Sequence, residues 1–248
     1  MEINIKNKVA IVTGGTTGMG EVISLGLLAE GCKVSICCKS EKNFKYFKNK
    51  YKKLSKNFYI EFFDATNEKN ISYFIKNTLN KFKKIDILVN NAGILFNSLF
   101  QMTSEKQLQE MFQVNYFSQV YLTQIISRGM AKNKTGNIIF VSSTSGINGD
   151  YGRFAYSSSK AAILSTVKTI SKELSNYNIR VNAISPGLTE TDLMLSNTKE
   201  NIIKSEIEKI SLKRIASTNE IADIIMFLAS EKSSYINGQN IVADGGTL

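Results

Sequence analysis

Lys8-Val-Ala-Ile-Val-Thr13, running into Gly14-Gly15-Thr16-Thr17-Gly18-Met19-Gly20, is the stretch whose reading decides the fold. The first part is a short apolar run, the pattern of a buried strand. Beyond the glycines, Leu25, Leu28 and Ala29 lead at helical spacing to Gly31. The glycines therefore lie between a strand and a helix. Gly14 permits the tight turn, Gly18 lets backbone approach a ligand, and Gly20 lets helix and strand pack closely. The N-terminus of such a helix faces a phosphate. The stretch predicts a dinucleotide cradled at the turn.

The same alternation continues outward. Strands are expected at Lys33–Cys38, Phe58–Phe63, Ile85–Asn90, Asn137–Ser142, Asn178–Ser185 and near Asn240–Ala243. Helical patterns separate them, at about 40–54, 67–82, 104–130, after Tyr156, and at 219–230 with Thr218 as its N-cap. Strand–helix alternation after a glycine turn means a parallel, doubly wound sheet of about seven strands with helices on both faces, a three-layer α/β Rossmann fold. No linker interrupts the pattern, so 1–248 is expected to form one domain. The amphipathic segment 188–213 lacks strand alternation and suits a cover over a site.

The second strand ends in Cys38-Lys39-Ser40. An acidic residue there would bind a ribose 2′-hydroxyl. Lys39 and Ser40 suit a 2′-phosphate instead, which favours NADPH/NADP+; Glu41 keeps NAD(H) as the alternative. The fourth strand ends in Asn90-Asn91-Ala92-Gly93, and small and amide residues at a strand end can touch a nucleotide across the sheet edge. Asn115 interrupts an apolar helical pattern and needs a polar partner.

Tyr156 and Lys160 are one helical turn apart and share a face. Ionising a free tyrosine at neutral pH costs roughly 4 kcal/mol. An ammonium about 5 Å away, at an effective dielectric of about 20, returns on the order of 3 kcal/mol. The phenol could then serve in general acid–base catalysis. Ser143, just past the fifth strand, could hold the reacting oxygen beside it.

Composition narrows the alternatives. There is no histidine, which removes Ser-His-Asp and Cys-His catalysis. The three cysteines, Cys32, Cys37 and Cys38, are clustered and odd in number, which argues against a disulfide framework and against metal. No apolar run approaches a membrane span, and the stretch from Met1 lacks a leader's apolar core. A cytoplasmic protein without membrane contact is expected. The net charge of +10 suits an acidic partner. Without a nucleic-acid-binding motif, nucleic acid is not expected.

Taken together, Thr13-Gly14-Gly15-Thr16-Thr17-Gly18-Met19-Gly20, Asn90-Asn91-Ala92-Gly93, Asn115, Ser143, Tyr156-x-x-x-Lys160 and Pro186-Gly187 resemble the short-chain dehydrogenase/reductase family over essentially the whole chain. The ending Tyr235-Ile-Asn-Gly-Gln and Asp244-Gly245-Gly246 is similar to the 3-oxoacyl-carrier-protein reductases. That resemblance implies roles. Tyr156 would be the acid in carbonyl reduction, Lys160 would lower its pKa and bind the nicotinamide ribose, Ser143 would orient substrate, and Asn115 would hold a relay water. Gly14, Thr16, Thr17, Gly18, Met19 and Gly20 would surround pyrophosphate. Asp64 and Ala65 would meet adenine, Asn91 a ribose and Thr189 the carboxamide, with Ala92, Gly93, Pro186 and Gly187 also binding the cofactor.

The implied substrate is a small molecule or acyl thioester, with an acyl carrier protein as a candidate partner. The implied assembly is a homotetramer built on helices near 104–130 and 155–176. Two departures stand out. Lys134 and Tyr177 occupy the positions of two carrier-docking arginines, and Thr17 stands where a basic residue would favour NADP. A dehydrogenase of another alcohol, sugar or polyol is the alternative within the same chemistry. A non-catalytic cofactor sensor is the alternative outside it.

Overall fold

The computed structural model describes residues 3–247; Met1 and Glu2, at the head of the stretch read as leaderless, lie outside them. Among the described residues, seven strands form one sheet: β1 (Val9–Thr13), β2 (Lys33–Cys38), β3 (Phe58–Phe62), β4 (Ile87–Asn90), β5 (Gly136–Val141), β6 (Ile179–Pro186) and β7 (Asn240–Ala243). Their order is β3-β2-β1-β4-β5-β6-β7, and every pairing is parallel. The chain runs outward from β1 in one direction and from β4 in the other. The ends of β1 and β4 therefore flank the crevice where ligands bind in such sheets. The expected doubly wound fold is the observed one.

The helices are α1 (Gly18–Ala29), α2 (Glu41–Lys50), α3 (Glu68–Phe82), α4 (Glu105–Phe112), α5 (Ser118–Asn133), α6 (Ser145–Asn148), α7 (Phe154–Leu174), α8 (Asp192–Asn197), α9 (Glu200–Lys209) and α10 (Thr218–Ala229). One face of the sheet is covered by α1, α2 and α10 through Ile23, Leu27, Phe47, Ile221 and Ile225. The other is covered by α3, α5 and α7 through Phe74, Leu122, Ile126, Ile163 and Val167. With both faces covered, the central strand β1 is apolar and buried throughout. Each such side chain contributes about 1.5–3 kcal/mol on burial.

The glycine turn is forced by contact. Gly14 and Gly18 have φ of +62° and +52°, and a Cβ on Gly20 would stand 2.1 Å from the Gly14 carbonyl oxygen. Only glycine lets α1 start that close to β1.

Three expectations are corrected. The helix read as continuous over 104–130 is broken: α4 and α5 are joined by a π-helical turn, Gln113–Phe117, that carries Asn115. The N-cap of α10 is Ser217, not Thr218. Ser217 and Glu220 complete a capping box, two reciprocal bonds that Thr218, one residue inside, cannot make. The helix read through Leu54 ends at Lys50, with a separate 3-10 turn at Lys52–Leu54.

Candidate active site

A cavity of about 1070 Å³ runs along the C-terminal edge of the sheet, from Lys39 and Asp64 at one end to Tyr156, Lys160 and the 188–210 segment at the other. Gly14, Thr17, Gly18, Met19 and Gly20 line it. The N-cap of α1, Thr17, makes no side-chain capping bond. The first-turn amides of α1 thus keep donors for an anion. A Cβ on Gly18 would meet only the Thr191 side chain, at 3.9 Å, so the turn has open space over it. An uncapped helix end under open space on a long cavity fits a dinucleotide pyrophosphate.

Two residues expected at the nucleotide are not on the wall. Thr16 is buried and hydrogen-bonds the Cys38 thiol from behind the turn. The Ser40 hydroxyl caps α2 by accepting from the Asn43 amide at 3.3 Å. In both cases the side chain is committed to local structure. Asp64, Ala65, Asn91, Ala92, Gly93, Pro186, Gly187 and Thr189 all line the cavity. Asn91 also braces the turn, donating from Nδ2 to the Thr13 carbonyl at 2.9 Å. Thr13 Oγ1 accepts from the Asn91 and Ala92 amides, at 2.9 Å each. Together these bonds lock the end of β4 to the end of β1.

At the far end, α7 carries Tyr156 and Lys160. Lys160 is buried, and its Nζ donates to the Val141 carbonyl at 2.8 Å. Burial lowers its pKa to about 8. The Nζ lies 5.8 Å from the centre of the Tyr156 ring. The phenol itself is pushed up by burial; a hydrogen bond with Ser143 and the charge of Arg153 draw it down, and Asp150 pushes it up again. Lys160 turns its ammonium to a backbone carbonyl, with the Tyr156 ring beside it.

Asn115 lies under this site, fully buried. Its Oδ1 accepts from the Ile94 amide at 2.8 Å, and its Nδ2 donates to the Ile94 carbonyl at 3.0 Å and to Ser159 Oγ at 3.2 Å. Ser159 Oγ donates to the Tyr156 carbonyl at 2.7 Å. One amide thus ties the loop after β4 to α7, and the π turn that carries it fits the association of such turns with functional sites.

Sequence reasoning missed Ser159, Ser145, Asp150, Arg153 and Asn97. Ser145 Oγ donates to Asp150 Oδ2. Arg153 donates to Asp150, Asn97 and Thr198. A lone arginine three residues before Tyr156 was the available signal; its partners come from three separate segments.

The family described as Enoyl-(Acyl carrier protein) reductase matches residues 14–247. The chain is 36% identical over 250 residues to 3-oxoacyl-[acyl-carrier-protein] reductase FabG of Aquifex aeolicus, covering 99% of each. It is 34% identical over 246 residues to the protein of that name in Thermotoga maritima, covering 99% of this chain and 100% of the relative. It is also 31% identical over 243 residues to the acetoacetyl-CoA reductase of an Acinetobacter strain, covering 97% and 98%. A solved 7α-hydroxysteroid dehydrogenase, complexed with NADH and 7-oxo glycochenodeoxycholic acid, superposes with a TM-score of 0.94 at 28% identity, covering 99% of this chain and 96% of that one.

Proposed function

The chain belongs to the short-chain dehydrogenase/reductase family, and on that premise we propose that it reduces 3-oxoacyl thioesters with NADPH. The observation that carries the reading is that Ser143, Tyr156 and Lys160 line one end of a dinucleotide-sized cavity. Two hydroxyls on one spot hold a carbonyl oxygen and protonate it. Reduction of a carbon–carbon double bond, named in the description of the matching family, would need a proton delivered to carbon instead.

A bound nicotinamide supplies the hydride for the carbonyl carbon. The chain's own residues do the rest. Ser143 donates to the substrate oxygen and orients it. Tyr156 gives that oxygen its proton as the alkoxide forms, a contribution of about 10²–10⁴ in rate. Lys160, with a pKa near 8, would hold the nicotinamide ribose and favour the phenolate, and Asn115 would hold a water of the proton relay. Gly14, Thr17, Gly18, Met19 and Gly20 surround the pyrophosphate. Asp64 and Ala65 meet adenine, Asn91 meets a ribose, and Thr189 meets the carboxamide. Lys39 reads the 2′-phosphate.

The thioester assignment rests on the full-length identity to relatives carrying that name. Docking of an acyl carrier is weakened by Tyr177, which is exposed where a cation would be needed. A homotetramer through the outer faces of α4, α5 and α7 is compatible with the exposed Phe117. A cytoplasmic setting is the matching expectation; among the described residues, no helix is long and apolar enough to cross a membrane.

The test is a carbonyl panel with NADPH and NADH: acetoacetyl and longer 3-oxoacyl thioesters, an enoyl thioester, and ketosteroids and sugars. Turnover confined to ketosteroids or sugars would move the assignment to the second reading, dehydrogenase of another alcohol, which the hydroxysteroid-dehydrogenase likeness favours.

A further inference from the structure

The cover over the carbonyl end of the cavity is hinged at its feet. Thr189 bridges to Ala216, and the Leu212 amide donates to the Gly245 carbonyl at 3.1 Å. Between the feet, Met194 and Ile210 are the only buried apolar residues among those described. Met194 is the one buried residue of α8, and α9 has none. Leu193, Leu195 and Ile202 are exposed. A segment with so few buried contacts opens at low cost, unless its tip is fastened.

The tip is fastened by two side chains. Asn97 Nδ2 donates to the Asn197 carbonyl at 2.6 Å, and Arg153 Nη2 donates to Thr198 Oγ1 at 3.4 Å. The two fasteners are joined to each other, Arg153 Nε donating to Asn97 Oδ1 at 3.2 Å. Their backbones are joined as well, the Ser98 amide donating to the Gly152 carbonyl at 2.8 Å. Asp150 completes the set by accepting from Arg153 Nη1 at 3.3 Å. The planar fork of Arg153 thus addresses three segments at once, a geometry an ammonium does not reproduce.

We propose that Arg153 and Asn97 form a latch that holds the 192–209 cover closed, and that Arg153 is thereby a positioning residue for the reaction at Tyr156. Arg153 lies three residues before Tyr156 at the start of α7, so the latch and the reacting phenol share one rigid element. The role of the latch in turnover rests on the reading given under Proposed function; the latch itself does not.

The experiment is amide hydrogen exchange on the full chain with saturating NADPH, combined with steady-state kinetics on acetoacetyl-CoA. Arg153→Met and Asn97→Ala are each expected to speed exchange across 192–209 by about tenfold, the loss of one or two hydrogen bonds, with α5 unaffected. In Asn97→Ala, KM should rise by about tenfold with kcat within about threefold. Arg153→Lys should remain fast, because the charge returns without the fork. Parent-like exchange in Arg153→Met and Asn97→Ala, or full protection in Arg153→Lys, overturns the latch. Faster exchange in an enzyme that turns over no thioester upholds the latch and removes the assigned substrate.

Discussion

Lys39 Nζ stands 3.5 Å from Asp64 Oδ2 at the end of the cavity away from Tyr156, with both side chains exposed. The Asp64 carboxyl is held below the usual carboxylate range, first by the Thr66 amide and then by the Thr66 hydroxyl and Lys39. A 2′-phosphate arriving at Lys39 therefore competes with a carboxylate already in place. An exposed pair of this kind is worth about 0.2–1 kcal/mol, so the competition is weak.

The cofactor prediction follows. NADPH should bind more tightly than NADH, and Lys39→Glu should narrow or reverse the gap. Asp64→Asn, which frees the ammonium, should tighten NADPH by roughly two- to fivefold. Titration of both cofactors by fluorescence measures all three. Equal affinities in the parent protein would remove the role given to Lys39.

Tyr156→Phe should lose about 10²–10⁴ in kcat and keep NADPH affinity within about threefold. Ser143→Ala should lose about 10²–10³, the scale of one oxygen-orienting donor. Unchanged turnover in Tyr156→Phe would sink the acid assignment.

Lys160 makes a stability prediction opposite in sign to its activity one. Its folded pKa is lowered from 10.5 to about 8 by burial. The unfolded chain thus holds more protons than the folded one between pH 8 and 10.5, and stability from this group rises across that window. Below pH 8 the full cost of the buried ammonium is present. Lys160→Met should therefore be inactive, yet more stable at pH 7 by roughly 1–2 kcal/mol after the lost bond to Val141 is counted. The gain should fade toward pH 10.5. Denaturant melts of both proteins at pH 7 and 10 decide it; a gap that grows with pH contradicts the assignment.

Two glycine-to-alanine changes should go in opposite directions. At Gly20 a Cβ would be driven into the Gly14 carbonyl, whereas at Gly129, in the middle of α5, it would meet nothing within 4 Å. Gly129→Ala should add about 0.5–1 kcal/mol. Gly20→Ala should cost at least about 2 kcal/mol and weaken NADPH binding. Thermal melts with and without NADPH give both outcomes.

The sheet was legible because parallel strands covered on both faces are written as apolar runs, and the turn after β1 because only glycine satisfies it. Tyr156 and the backbone of Gly18 line the cavity where the sequence placed them. The site was not legible where a residue's surroundings decide. Thr16 and Thr17 are adjacent and chemically alike, yet one faces Cys38 and the other the cavity. Ser40 reads as a phosphate ligand until α2 claims it as a cap. Arg153 carries no periodic signal, since Asn97 and Thr198 are 56 and 45 residues away.

The π turn at Gln113–Phe117 makes the length of this stretch part of its chemistry. Such a turn accommodates an extra residue that a regular α-helix would not need. Deleting one residue between 113 and 117 would let α4 and α5 merge into a single unbroken rod. The merged helix would gain regular hydrogen bonds, but the wide turn that aims Asn115 would be gone. Asn115 would leave Ile94 and Ser159, and the loop after β4 would lose its tie to α7. The wide turn and the Asn115 amide it carries thus act together to keep the two halves of the cavity in register.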